Sequence, residues 1–304
     1  MDGIIVINKP YGATSHQAVQ LIRKLFPGVK AGHSGTLDPA ATGVLPVCLG
    51  RATRITEYIV ELPKTYRAAV TLGFTTDTED AAGRIIEKRP VPAMDRARVE
   101  KILEKFRGKI EQVPPIYSAI KHRGKPLYYW ARRGEEVPRR ERRVEIYALE
   151  LLEYNPEREP QLLIDVQCSK GTYMRTLAAD LGKTIGCGAH LATLVRTNVG
   201  PFNLEEAFAP ERAAEMANEG RYDELVRPMD SAMPHMPEVI LPAGLIRALK
   251  NGQIVEPAQS ELPVSAIHGS LVKIYDPDNN FKAVARLELS EEKAGLRTVK
   301  FLSA

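Results

Sequence analysis

Short apolar runs broken by glycine and proline set the pattern of the chain. Gly3-Ile4-Ile5-Val6-Ile7, closed by Asn8-Lys9-Pro10, has the signature of a buried strand. Thr14 or Ser15 can cap a helix running to about Phe26, with Ala18, Ile22 and Leu25 on one stripe and Pro27-Gly28 stopping it. Residues 28–46 are rich in Gly, Ser, Thr and Pro and read as one long loop. Loops of that length without periodicity are usually functional or disordered. Residues 66–72 alternate, with Tyr66, Ala68, Val70 and Leu72 on one face of a strand. Asp95 caps an amphipathic helix to Phe106 that turns Val99, Ile102, Leu103 and Phe106 inward, with Gly108 beyond it. Pro126 can start a helix through Arg133, ended by Gly134. Residues 162–168 form a strand, and Met174, Leu177, Ala178, Leu181 and Ile185 then fall at helical spacing up to Gly186-Cys187-Gly188. Pro228, Pro234, Pro237 and Pro242 place a domain boundary between 227 and 242. Beyond it, residues 264–287 alternate and break at Asp276-Pro277-Asp278-Asn279-Asn280, a hairpin signal. That tail, of about 60 residues, is a β module near the lower size for folding alone.

Composition narrows the class. The 304 residues suit two domains, and 44% hydrophobic with 26% charged residues is ordinary for a globular chain. The apolar runs are too short to span a bilayer, and Met1-Asp2-Gly3 begins no secretory signal. Cys48, Cys168 and Cys187 lack paired spacing, which predicts a cytoplasmic protein without disulfides or a zinc site. Net charge is only +4, but residues 121–143 hold nine Lys/Arg against three Glu. Such a concentration suits a polyanion, since each neutralised phosphate releases counterions; a solvated basic surface is the plainer alternative.

Candidate chemistry is densest in residues 32–43, GHSGTLDPAATG. Its glycines permit tight backbone paths, and Pro39 biases Asp38 toward an extended conformation. A short carboxylate on a rigid loop can act as nucleophile or base, although by spacing alone a turn-closing aspartate is the commoner case. Gly32-His33-Ser34 does not continue into a nucleophile elbow, because Thr36 stands at the fifth position and no periodic helix follows. Phosphate-binding and dinucleotide-binding glycine patterns are lacking, and the His and Cys residues are scattered without metal-ligand spacing. Asp77-Thr78-Glu79-Asp80 lacks a calcium-loop pattern and reads as a polar turn. Arg175 opens the helix after Ser169-Lys170-Gly171-Thr172-Tyr173. A cation there opposes the helix dipole and so suggests an acidic partner. Tyr66 would by default be a core tyrosine with one bonded hydroxyl.

Taken in order, these segments resemble the TruB family of tRNA pseudouridine synthases, which modify uridine 55 in the T-loop. GIIVINKPYGATS (3–15) is similar to the first family motif, and GHSGTLDPAATGVL (32–45) to the catalytic motif. KTYRAAVTLGFTTDTEDAAG (64–83) is similar to the tyrosine strand, PPIYSAIKHRGKPLYYWARRG (114–134) to an RNA-gripping insertion, and SKGTYMRTLAADLG (169–182) to the arginine motif. The resemblance implies an α+β fold with a mixed sheet over residues 1–235, with the insertion at about 114–145. It also implies a small β-rich, PUA-like RNA-binding module over 240–304, where the likeness is shorter and more divergent.

By the same resemblance, Asp38 is the catalytic carboxylate, Arg175 its ion-pair partner and Tyr66 the residue stacking on the flipped base. Tyr173 and Leu194 are implied as pocket residues, and His33 as the side chain inserted into the RNA as the base leaves. Lys121, Arg123, Arg132 and Arg142 of the basic segment would grip phosphates. The reaction transfers ribose C1′ from N1 to C5 of one uracil, so it requires neither a cofactor nor a metal. The partner implied is the T-stem-loop of tRNA, with no membrane and no obligatory protein partner, and a monomer is the default. Three routes stay open for Asp38: attack on the sugar, attack on the base, or removal of a ribose proton. Two rivals are an enzyme working inside a guide-RNA particle and a non-catalytic RNA-binding or RNA-folding protein.

Overall fold

The computed structural model describes residues 1–157, 159–258, 262, 267–289 and 294–303. The first strand, β1 (Gly3–Lys9), is buried along almost its whole length. Helix α1 (Ser15–Leu25) follows, and Thr14 is its cap: the hydroxyl accepts from the Gln17 N–H while the Gln17 side chain closes back on the Thr14 N–H, a capping box. Ser15 is thereby left free for another task.

The segment expected as one loop is not one. It contains β2 (Ala31–His33) and most of β3 (Thr42–Leu49), which leaves only residues 34–41 irregular. β3 escapes a periodicity reading because Gly43 through Leu49 are all buried, so no polar face alternates with the apolar one. Gly43 is required by close approach: at φ +105°, a Cβ there would lie 2.2 Å from the Arg196 carbonyl oxygen.

Helix α2 (Thr56–Glu61) leads into β4 (Lys64–Leu72) and then a small hairpin of β5 (Phe74–Thr76) and β6 (Ile85–Lys88). Helix α3 (Arg96–Glu104), capped by Asp95, buries Val99 and Leu103 as its spacing predicts. After β7 (Gly108–Gln112), the basic segment forms a two-residue ladder of β8 (Lys121–His122) with β9 (Lys125–Pro126) and then helix α4 (Leu127–Ala131). α4 ends two residues before the predicted Arg133, because turn bonds to the Tyr128, Trp130 and Ala131 carbonyls replace the helical pattern ahead of Gly134. β10 (Arg142–Asn155), β11 (Gln161–Cys168), α5 (Met174–Ile185), β12 (Ala189–Val199) and β13 (Phe202–Asn203) complete the body of the sheet. α5 stops at Gly186 in the left-handed region, φ +95°.

Among the described residues, nine strands make the main sheet, ordered β1-β3-β12-β4-β11-β10-β7, with β2 on β3 and β13 on β12. The β12–β3 pair is parallel and the others are antiparallel, so the sheet is mixed as expected. One core packs α3 and α5 on β4, β10, β11 and β12; another packs α1 and α6 (Pro210–Asn218) on β1 and β3.

Past a short helix α7 (Tyr222–Leu225), the proline-rich stretch is not an exposed linker. Ala232, Met233 and Met236 lie in a core with Ile4 and Val6 of β1. The C-terminal sheet runs β14 (Glu238–Ile240), β15 (Leu271–Tyr275), β16 (Phe281–Leu289), β17 (Ala294–Phe301), with α8 (Ala243–Lys250) packed on it. The predicted break at 276–280 is the β15–β16 turn, in which the Asp276 carboxylate accepts from the Asn280 N–H at 2.8 Å. Residues 264–266, the start of the predicted alternation, lie outside the described residues.

Candidate active site

Loop 34–41 carries Asp38 and is pinned on both sides of it. The Ser15 hydroxyl donates to the Leu37 carbonyl (3.1 Å) and accepts from the Leu37 N–H (2.9 Å). Beyond Asp38, the Pro39 carbonyl accepts from the Gly12 N–H at 2.8 Å and from Lys9 Nζ at 3.4 Å. Lys9 is fully buried, its ammonium also donating to the carbonyls of Pro10 and Ala13, and burial pulls it down to about 8 against the raising effect of Asp38. The motif over residues 3–15 thus acts at a distance, fixing where the aspartate sits.

Arg175 meets Asp38 from the first turn of α5, with Nη2 and Oδ2 2.9 Å apart. The two sides of the pair are unlike: the arginine side chain is 7% exposed and the aspartate 46%. Arg175 is held from behind. Nη2 also donates to the Tyr117 carbonyl (2.9 Å) and Nη1 to the Thr78 carbonyl (3.4 Å), while Asp80 stands 3.9 Å from Nε. The stretch 77–80, expected only as a polar turn, is therefore a turn that braces the arginine. Asp80 is itself fixed by the Thr78 hydroxyl at 2.6 Å. Asp38 keeps one side open to solvent, where a ligand can approach.

The pair borders a cavity of about 300 Å³, within the range that holds small ligands. Tyr66, Tyr173, Leu194, Lys64 and Arg196 line it together with Asp38 and Arg175. Tyr66 is half-buried, packed against the α5 core on one side and facing the cavity on the other. Burial raises its phenol, and the neighbouring Arg196 charge opposes that. Burial likewise raises Tyr173, whose backbone is clamped by the buried Gln112 side chain: Oε1 accepts from the Tyr173 N–H (3.0 Å) and Nε2 donates to its carbonyl (3.3 Å). Leu194 pairs with Ala68 on the wall formed by β12 and β4. His33 is outside the lining; it ends β2 half-buried, its Nδ1 accepts from the Gly35 N–H at 3.3 Å, and burial lowers its pKa.

Lys64 and Arg196 were not marked by any local pattern. Lys64 is 6% exposed, donates to the Val60 and Leu62 carbonyls at the end of α2, and is pulled down to about 8 by burial. Among the described residues, no group of three or more His, Cys, Asp or Glu is arranged to hold a metal, and no helix is long and apolar enough to cross a membrane.

The basic segment stands beside this cavity. Lys121, Arg123, Arg132 and Arg142 are all exposed. Tyr128 and Tyr129 on α4 are exposed too, with Arg132 over the first ring at 5.6 Å and Lys125 over the second at 5.4 Å. The base of the segment is tied to the site through Tyr117 and through the Tyr128 N–H, which donates to the Ser118 carbonyl at 3.2 Å.

This fold, a mixed α+β sheet with a small C-terminal β sheet, is similar to that of a chain in a solved Cbf5-Nop10-Gar1 complex. That chain aligns with 99% of this one and 85% of its own length, at a TM-score of 0.77 and 27% identity. Residues 23–174 match the N-terminal domain of the TruB family pseudouridylate synthases, and residues 175–234 match the C-terminal domain of tRNA pseudouridylate synthase B. The tRNA pseudouridine synthase B of Geobacillus kaustophilus is 47% identical over 262 residues, covering 84% of this chain and 91% of that protein. The protein of the same name from Thiobacillus denitrificans is 43% identical over 288 residues, 95% of this chain and 93% of its own. The chain belongs to the TruB family. Its activity is that of a tRNA pseudouridine synthase, an isomerase.

Proposed function

We propose that this enzyme converts uridine 55 in the T-loop of tRNA to pseudouridine, with Asp38 as the catalytic carboxylate. The observation that carries this is the 2.9 Å pair of a half-exposed Asp38 and a buried Arg175 at the edge of a cavity lined by Tyr66. The C1′–N1 bond breaks, the base turns, C1′ joins C5, and one proton leaves C5 while N1 gains one. Whether Asp38 attacks the sugar, attacks the base or removes a ribose proton, it must be ionised and close to the nucleotide, and Arg175 serves both needs.

A uridine stacked in a folded loop is inaccessible, and extruding it costs a few kcal/mol. Stacking on an aromatic ring returns about 1–3 kcal/mol per base, which is the role assigned to Tyr66. Tyr173 and Leu194 complete the pocket, and His33, at the strand end beyond it, fills the space the base vacates in the RNA. Lys121, Arg123, Arg132 and Arg142 hold phosphates of the T-stem-loop. Residues 1–235 make the catalytic domain, and residues 240–304 a PUA-like module giving further RNA contact. No cofactor enters the scheme, and the enzyme works as a monomer without a protein partner.

The alternative of a subunit in a guide-RNA particle is less supported. The chain is 43–47% identical to proteins named tRNA pseudouridine synthase B and 27% identical to a chain of the Cbf5-Nop10-Gar1 complex. Tritium release from C5-labelled uridine in a bare T-loop hairpin tests both points. Purified wild type should release it without added protein or guide RNA, and Asp38→Ala should not. Release by Asp38→Ala at a comparable rate would end the assignment of Asp38.

A further inference from the structure

Arg196 is the least expected group in the cavity wall. It is 2% exposed, and among the described residues no carboxylate lies within ion-pair distance of it. A buried cation without a counter-charge is costly, so its retention calls for a use. Its neutral partners tie two elements: Nε donates to the Val44 carbonyl of β3 at 2.7 Å and Nη2 to the Gly35 carbonyl at 3.2 Å. On the strand ladder Arg196 stands directly opposite Tyr66 on one side and Gly43 on the other. Its charge reaches Lys9, His33, Lys64 and Tyr66.

We propose that Arg196, held in place by the Val44 and Gly35 carbonyls, is a positioning residue for the isomerisation that prepares the Tyr66 oxygen to accept the C5 proton. The proposal rests on the reading of Tyr66 as a base-contacting residue. Once C1′ is joined to C5, the C5 proton passes to the Tyr66 oxygen as the phenolic proton leaves to solvent, and the C5–H bonding pair becomes the C5–C6 double bond. N1 takes one proton from solvent, so no oxidant or reductant is needed. Burial raises the Tyr66 phenol on balance, and the Arg196 guanidinium beside it opposes that rise. The other groups facing Tyr66 are Cys168 from β11 and Asp38 from the loop, with Lys64, Lys170 and Arg175 in the same cavity. Cys168 is pushed up to about 11 by burial and stays neutral below that. Lys64 loses its charge near 8, so Lys64→Met serves as the control background.

The test places a single 3-fluorotyrosine at position 66 and follows its fluorine resonance against pH. Arg196→Met should raise the midpoint by about one unit, and Arg196→Lys, which keeps the charge, by clearly less. In single-turnover tritium release with natural tyrosine, Arg196→Met should slow the reaction by about tenfold or more, and 3-fluorotyrosine, a more acidic phenol, should restore part of the loss. Adding Arg196→Met to Tyr66→Phe should change little further. An unmoved midpoint overturns the proposal, as does an unchanged release rate or a loss that multiplies fully with that of Tyr66→Phe. A melting curve and the Lys variant separate these effects from misfolding. The resonance is read without turnover, so a shifted midpoint in a wild type that releases no tritium would condemn the reading of the reaction and not the Arg196–Tyr66 coupling.

Discussion

The buried cations in and behind the site and the exposed cations of the insertion sit under opposite physical conditions. Lys9, Lys64, Arg175 and Arg196 are buried, bonded to backbone carbonyls, and fixed by strands and the start of α5. Lys121, Arg123, Arg132 and Arg142 are exposed, and two neighbouring basic side chains, Lys125 and Arg133, lie over the exposed ring of Tyr129. Buried charge is weakly screened and acts on one place; exposed charge is screened within about 8–10 Å at ordinary salt and acts on whatever polyanion comes near. The difference separates chemistry from grip. The seam between them is Tyr117–Ser118, which accepts a bond from Arg175 on one side and from the α4 backbone on the other.

That contrast can be broken most sharply at Arg175. Arg175→Met should leave the fold intact, because a buried methionine satisfies the site sterically, yet should cut turnover by about 10²-fold or more, measured by tritium release beside a circular-dichroism melt. A near-normal rate would remove the cavity cation from the chemistry. Tyr66 divides the two functions within one side chain. Tyr66→Phe should bind the T-loop hairpin normally and convert it slowly, whereas Tyr66→Ala should also weaken binding by about 1–3 kcal/mol, as filter binding can show. Equal behaviour of the two variants would deny stacking to the ring.

On the exposed side, binding should weaken steeply with salt, and the double change Arg123→Gln with Arg132→Gln should lower the slope of log K against log salt by about two. Turnover at saturating RNA should be unaffected. A binding constant that is flat with salt would mean the insertion does not hold phosphates.

The smallest effect is a pH signature of burial. Lys64 is held near 8 in the folded protein, below its value of 10.5 when free, so between those limits the unfolded chain binds the extra proton. The cost of burying its ammonium is therefore present below about 8 and is relieved as pH rises toward 10.5. Relative to Lys64→Met, wild-type stability to urea should improve over that interval by about 1 kcal/mol or more.

Elements with alternation or a helical stripe were legible before the structure: β4, β11, α1, α3 and α5 fall where their apolar spacing places them. β3 was hidden because a strand buried on both faces has no period and because Gly43 and Pro46 look like loop residues. A cation at a helix start suggested only some acidic partner for Arg175; Asp38 as that partner came from the family resemblance, and the two lie 2.9 Å apart. Arg196 offered no such signal. Its meaning comes from facing Tyr66 across a ladder between strands about 130 residues apart in sequence, and only tertiary structure supplies that. Asp80 was set aside as part of a turn because a turn is what its neighbours build; its second role depends on where α5 happens to begin.

The C-terminal sheet does not stand clear of the rest. Val284 and Leu302 share a packed layer with Ile4 and Val6, Arg54 donates to the Phe301 carbonyl at 2.6 Å, and Lys300 reaches Glu57 at 3.1 Å. A truncated protein ending near residue 235 would uncover an oily flank on the strand whose far end, Lys9, steadies the Asp38 loop. Such a fragment should clump in solution and lose catalytic competence together, so the tail is part of the packed body and not a detachable accessory.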